Sequence, residues 1–161
     1  MKKKILISVI TATYNRANYL KDLYNSLKNQ TFKNFEWVVG NDGSKDLTDK
    51  LIKSFIKEKK IKIKYVSSNI RIGKTKMDNI IIHLAKGRYQ CYCGSDDYFK
   101  PNAFKNMVKL LNKIPKEKDR KFHGIISQSV DERNNSQSFH ANRKPNSNKL
   151  MTWYEINKYI K

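Results

Sequence analysis

The sequence predicts an α/β domain with a mostly parallel central sheet flanked by helices. Three observations carry this reading. Short apolar runs alternate with amphipathic stretches at helical spacing, and each run closes on polar or glycine residues. The chain has 161 residues, enough for one substantial core. It is 39% hydrophobic, with no apolar run near the roughly 20 residues of a membrane helix.

Five strands are expected, at 5–11, 37–40, 61–66, 89–93 and 124–130, each short and rich in apolar residues. The start, Lys2, Lys3 and Lys4 before an apolar stretch, imitates a secretory leader. That stretch runs straight into polar Thr11 to Arg16 with no cleavage pattern, so it reads as a buried first strand. Helices fill the intervals. Residues 19–28 carry Leu20, Leu23, Tyr24 and Leu27 on one stripe, and 47–57 repeats this with Leu51, Ile52, Phe55 and Ile56. Residues 74–85 present Met77, Ile80, Ile81 and Leu84, and a fourth helix opens at Pro101 over Phe104, Met107, Val108 and Leu111. Residues 131–149 are polar and asparagine-rich and read as a loop. An amphipathic stretch at 150–160 with Trp153 and Tyr154 should pack on something. The predicted organisation is a binding domain over 1–130, followed at 131–161 by a polar loop and helix that begin an incomplete acceptor region.

The charge balance is extreme, 34 Lys plus Arg against 14 Asp plus Glu for a formal +20. It points to an anionic partner. Nucleic acid is disfavoured, because the lysines are scattered and no helix-turn-helix, zinc-finger or aromatic-basic RNA motif accompanies them. A phosphorylated substrate or an anionic membrane surface fits as well. Cys91 and Cys93 are the only cysteines, one residue apart in an apolar run. They exclude a disulfide framework and read as buried thiols of a cytoplasmic protein.

Polar clusters close four of the strands, where open α/β sheets bind ligands. Ser95-Asp96-Asp97 is the most chemically pointed. Adjacent carboxylates repel, and a divalent cation, Mn²⁺ or Mg²⁺, relieves this while taking its other oxygens from water and a diphosphate. The same pair also suits the opening of the next helix. Asn41-Asp42-Gly43-Ser44 reads either as a turn and cap or as a cleft-mouth carboxylate able to accept a base N–H. Arg71 and Lys74, around Ile72-Gly73, set two cations beside free backbone N–H groups where phosphates could bind.

Order and spacing together identify a resemblance. The residues that carry it are Ser8 to Arg16, Gln30-Thr31-Phe32, Phe35 to Val39, Asn41 to Ser44 with Asp46, Gly73-Lys74, Asn79, Ala85 to Tyr89, and Ser95-Asp96-Asp97 with Pro101. Over roughly residues 5–111 the chain resembles the family 2 glycosyltransferases, which share the Rossmann-like GT-A fold. The resemblance implies an inverting, metal-dependent transfer from a nucleotide-diphosphate sugar, UDP-linked by preference, to a glycan or lipid-linked acceptor in polysaccharide synthesis. It implies a nucleotide-sugar set of Thr11, Ala12, Tyr14, Arg16, Asp42, Arg71, Lys74 and Asp96. Within that set Tyr14 lines the pocket, Asp42 meets the base and Asp96 approaches the ribose, while Asp97 holds the metal. The catalytic base of similar enzymes is a carboxylate in a later segment, so it is expected beyond Lys161. Asp131, Glu132 and Glu155 sit in no recognisable context. Two departures stand out: Asn41 replaces a usual Asp, and Met77-Asp78 replaces a small-then-basic pair before Asn79. The rival enzyme, a sugar nucleotidyltransferase, calls for a glycine-rich loop after the first strand, and Thr11 to Arg16 has no glycine. The non-enzyme rival is a basic nucleic-acid-binding module, which would show steep salt dependence and no need for metal. The expected location is the cytoplasm, peripheral on the inner face of the membrane.

Overall fold

A computed structural model describes residues 5–113 and the backbone of 129–131 and 136–138. Its elements in order are β1 (Ile7–Thr13), α1 (Ala17–Lys28), β2 (Phe35–Asn41), α2 (Thr48–Glu58), β3 (Ile63–Ser67), α3 (Lys74–Leu84), β4 (Tyr89–Tyr92), α4 (Ala103–Leu111), β5 (Ser129–Asp131) and β6 (Ser136–Ser138). The chain divides into two compact units, Met1–Lys105 and Asn106–Lys161. In the first, the strands form a parallel sheet in the order β3-β2-β1-β4. In the second, β5 and β6 pair antiparallel.

The core follows from strand alternation, which sends successive side chains to opposite faces. Ile10 and Val38, paired in register, meet Met77 and Ile81 of α3 on one face. Gly40 permits this approach, since a Cβ there would lie 2.5 Å from the Met77 sulfur. On the other face Trp37 stacks with Tyr24 of α1, ring centroids 6.3 Å apart, and Tyr24 stacks on Phe55 of α2 at 3.9 Å. The predicted α1 stripe of Leu20, Leu23, Tyr24 and Leu27 is buried in full. Each such side chain contributes about 1.5–3 kcal/mol. Helices therefore cover both faces, as expected.

A buried polar node fastens the amino-terminal edge of the sheet. Glu36 is fully buried, and its Oε1 accepts from Ser8 Oγ at 2.9 Å, Lys64 Nζ at 3.2 Å and the Lys86 amide at 2.6 Å. Ser8 Oγ in turn accepts from the Gly87 amide at 2.8 Å. The node ties β1, β2 and β3 to the α3–β4 connection.

Several expectations need correction. β1 runs on to Thr13, because its ladder with β2 continues to Thr13↔Asn41, so Ala12 and Thr13 join Thr11 in the strand. Ile80 and Leu84 of α3 are 42% and 39% exposed, because Met77 and Ile81 take the buried positions. Ile56 is likewise exposed. The stretch read as a loop contains β6, held by ladder hydrogen bonds without apolar alternation. Cys91 and Cys93 are half-buried free thiols. Burial lifts the Cys91 pKa to about 11; burial, and after it the Asp97 carboxylate, lifts that of Cys93. Most of the expected strand at 124–130, and the helix at 150–160, lie outside the described residues. Among the described residues, no helix is long and apolar enough to cross a membrane.

Candidate functional site

Because every strand in the sheet is parallel, the segments following β1, β2, β3 and β4 all leave from its carboxyl edge. They meet there through named contacts. The first and second segments interlock: the Asn15 amide donates to Ser44 Oγ at 2.9 Å, and the Lys45 amide donates to Asn15 Oδ1 at 2.8 Å. Asn15 adopts φ 50° to make this exchange, a conformation that asparagine tolerates better than most residues. α1 lacks a cap from its own N-cap residue. Its first amide, from Ala17, instead donates to Asp46 Oδ2 at 3.2 Å, so the second segment caps the first helix.

The second segment also holds the third. The Asp42 carboxylate accepts from the Ile72 amide at 2.7 Å and from the Gly73 amide at 3.0 Å, satisfying donors at the start of α3. Gly43, at φ +71°, lies so close beneath this segment that a Cβ would sit 2.4 Å from the Ile70 carbonyl carbon. Asp42 is therefore 3% exposed and turned toward backbone amides, rather than standing free at the cleft mouth as expected. Arg71 leans back over the first segment, its guanidinium 4.4 Å from the centre of the Tyr14 ring. Lys74 is drawn along α3 into an ion pair with Asp78.

Arg16 reaches the fourth segment, 3.6 Å from Asp96, with both side chains about half exposed; such a pair contributes about 0–1 kcal/mol and opens readily. Gly94 places the two aspartates together: a Cβ on it would lie 2.9 Å from Asp96 Oδ1 and 2.7 Å from Asp97 Oδ2. Asp97 Oδ2 accepts from the Gly94 amide at 3.3 Å, and a side chain at position 94 would crowd both carboxylates. Among the described residues, no group of three or more His, Cys, Asp or Glu is arranged to hold a metal ion. The Asp97 carboxylate is a hard oxygen donor that suits a Mg²⁺ or Mn²⁺ ion completing its shell with water and substrate oxygens.

The remaining predicted residues lie deeper. Thr11 is 1% exposed and its hydroxyl accepts from the Trp37 indole at 3.1 Å, which takes that side chain out of the cleft. Ala12 packs against the Ile10–Met77 cluster. Asn41, at the position of the missing Asp, donates to Tyr65 Oη at 3.1 Å while its Oδ1 accepts from the Ser44 amide at 3.0 Å. Sequence reasoning passed over Thr13, whose hydroxyl is buried at the end of β1 with no partner among the described residues, and Asn15. Asn15 sits inside the Tyr14-Asn15-Arg16 cluster, and an asparagine next to a turn was the one signal available for it.

The family described as glycosyl transferase family 2 matches this chain over residues 8–156. The chain belongs to that family. An uncharacterized glycosyltransferase of Rickettsia prowazekii is 32% identical to this chain over 146 residues, 83% of this chain and 44% of the relative. One from Haemophilus influenzae is 35% identical over 67% of this chain and 33% of its own length. The chain thus spans less than half the length of these relatives. S. aureus TarS in complex with UDP superposes with a TM-score of 0.63 at 31% identity, covering 67% of this chain and 32% of TarS. TarS is also known in complex with UDP-GlcNAc. The mannosyltransferase PcManGT of Pyrobaculum calidifontis, in complex with GDP-Man and Mn²⁺, shares the fold with a TM-score of 0.59 at 19% identity, over 68% of this chain and 32% of its own. The fold is GT-A.

Proposed function

We propose that this glycosyltransferase takes a sugar from a UDP-sugar and passes it, with inversion, to a hydroxyl of a glycan or lipid-linked acceptor in polysaccharide synthesis. The observation that carries the reading is the junction of four segments at one sheet edge, with Arg71 over Tyr14 in one part and Asp96 and Asp97 beside Gly94 in another. The likeness to TarS, which binds UDP and UDP-GlcNAc, supports a uridine donor. Tyr14 and Arg71 offer a flat cationic wall to a base. Asp42 retains acceptor capacity for an imide N–H beyond its amide bonds. Arg16 and Lys74 exchange their weak carboxylate partners for phosphate, and the release of Arg16 frees Asp96 for the ribose hydroxyls. Asp97 would hold a Mn²⁺ or Mg²⁺ ion, whose contribution is Lewis-acid stabilisation of the departing nucleoside diphosphate. Residues 1–130 are the donor-binding part in this reading, and 131–161 begin the acceptor region.

Calorimetric titration with UDP, with and without Mn²⁺, tests it. Binding strengthened by Mn²⁺ in the wild type and weakened at least about tenfold in Asp97→Ala is the expected result, since a charged contact of this kind is worth about 1.5–3 kcal/mol. Failure of UDP and other nucleoside diphosphates to bind at any metal concentration would rule the reading out.

A further inference from the structure

We propose that the groove beneath the C-terminal end of α2 docks on an anionic phospholipid bilayer. The groove, ≈ 630 Å³, lies where β2 and β3 begin, at the sheet edge opposite the donor cleft. Lys33, Lys59, Lys60 and Lys62 stand around it. Among the described residues, no carboxylate lies within ion-pair distance of Lys59 or Lys60, and Lys62 reaches only the buried Glu36, at 3.7 Å. The floor is aliphatic, from Ile56, Ile61 and Ile63, and Ile56 is 38% exposed.

An apolar floor ringed by lysines, two of them (Lys59 and Lys60) without a carboxylate partner among the described residues, asks for a partner that is anionic outside and hydrocarbon beneath. The boundary between headgroups and acyl chains is such a surface, and lysine suits it because its stem lies along apolar surface while the ammonium reaches phosphate. Nucleic acid matches the charge but not the floor, since single strands are held by stacking on exposed rings. The one ring in the groove, Phe35, is 6% exposed. Six residue steps along β2 separate the groove from Asn41, about 20 Å at roughly 3.3 Å per residue. A docked molecule therefore keeps its donor cleft open to solvent. This inference does not depend on the identity of the donor.

The test is co-sedimentation of the full chain with phosphatidylcholine vesicles, with and without one-third phosphatidylglycerol. Lys59→Glu/Lys60→Glu is compared with Lys21→Glu/Lys76→Glu, which makes the same charge change on exposed faces of α1 and α3. Binding to the anionic vesicles alone is expected. It should fall more than about tenfold in the groove variant, at roughly fivefold or more per lysine, and less than about threefold in the control. Ile56→Ser, which leaves the charge unchanged, should weaken binding about threefold or more. UDP titration of each variant confirms an intact cleft and keeps a failure of docking separate from a failure of donor binding. Equal losses in the two charge variants would reduce the effect to net-charge attraction and overturn the proposal. So would an absence of vesicle binding, or an Ile56→Ser variant that binds like wild type. Capture of an acidic peptide or of DNA through Lys59 and Lys60, without vesicle binding, would assign the groove to another partner and overturn it too.

Discussion

Replacing Glu36 with Gln tests whether the polar node at the sheet's amino-terminal edge holds the fold together. The carboxylate is fully buried, and its Oε2 lies 3.1 Å from Lys64 Nζ. Breaking a buried pair costs about 3–5 kcal/mol because the surviving charge is stranded. Lys64 is 22% exposed and also donates to the Leu84 carbonyl, so part of that penalty is relieved and about 3 kcal/mol remains. At roughly 2–4 °C per kcal/mol for a domain of this size, the melting temperature should drop about 6–12 °C. Lys64→Met combined with Glu36→Gln should show coupling of about 1–3 kcal/mol. Burial pushes the Glu36 pKa up, but the Lys86 amide, Ser8 and Lys64 together outweigh it and hold the carboxyl below its ordinary value. The stability this supplies is present above the unfolded value of about 4.3 and is lost as the pH falls through the folded pKa. Urea denaturation across pH 3–7 reads both effects. A Glu36→Gln protein within about 0.5 kcal/mol of wild type at pH 7, with the same acid limb, would refute the argument.

Two further outcomes concern the cleft. Gly94→Ala places a methyl against Asp96 and Asp97, so Mn²⁺-dependent UDP affinity should fall at least about tenfold while the metal-free value changes little, as read by calorimetry. Asp42→Ala removes the acceptor of the Ile72 and Gly73 amides. Those two backbone amides should exchange with deuterium about tenfold faster or more, matching a loss of about 1–3 kcal/mol; unchanged protection would show that the carboxylate is not what holds them.

Elements with a local signature were legible in the sequence. The stripe of α1 and the four apolar runs of the sheet follow from periods of 3.6 and 2, and the four polar clusters fell where parallel strands must end. What escaped depended on partners distant in sequence. Asp42 looked free because the amides it accepts are 30 and 31 residues away. Glu36 fell outside the expected strand at 37–40, and its role was hidden because Ser8, Lys64 and Lys86 come from three other segments. Ile80 and Leu84 satisfied the helical period, but the gap left by Gly40 is filled by Met77 and Ile81. Thr11 was counted among the cleft residues for its polarity, although its hydroxyl answers the Trp37 indole inside the core.

The position of Lys64 has a bearing on solubility. Among the described residues, β3 stands at the rim of its sheet with only β2 beside it, and a bare strand rim is a template on which another chain can add itself. Lys62 and Lys64 place charge along that rim, and the buried Glu36 fixes the second of them. An intruding strand would have to cover these ammonium groups or pull Lys64 away from its counter-ion. The pair that fastens the sheet therefore also guards its border against self-association.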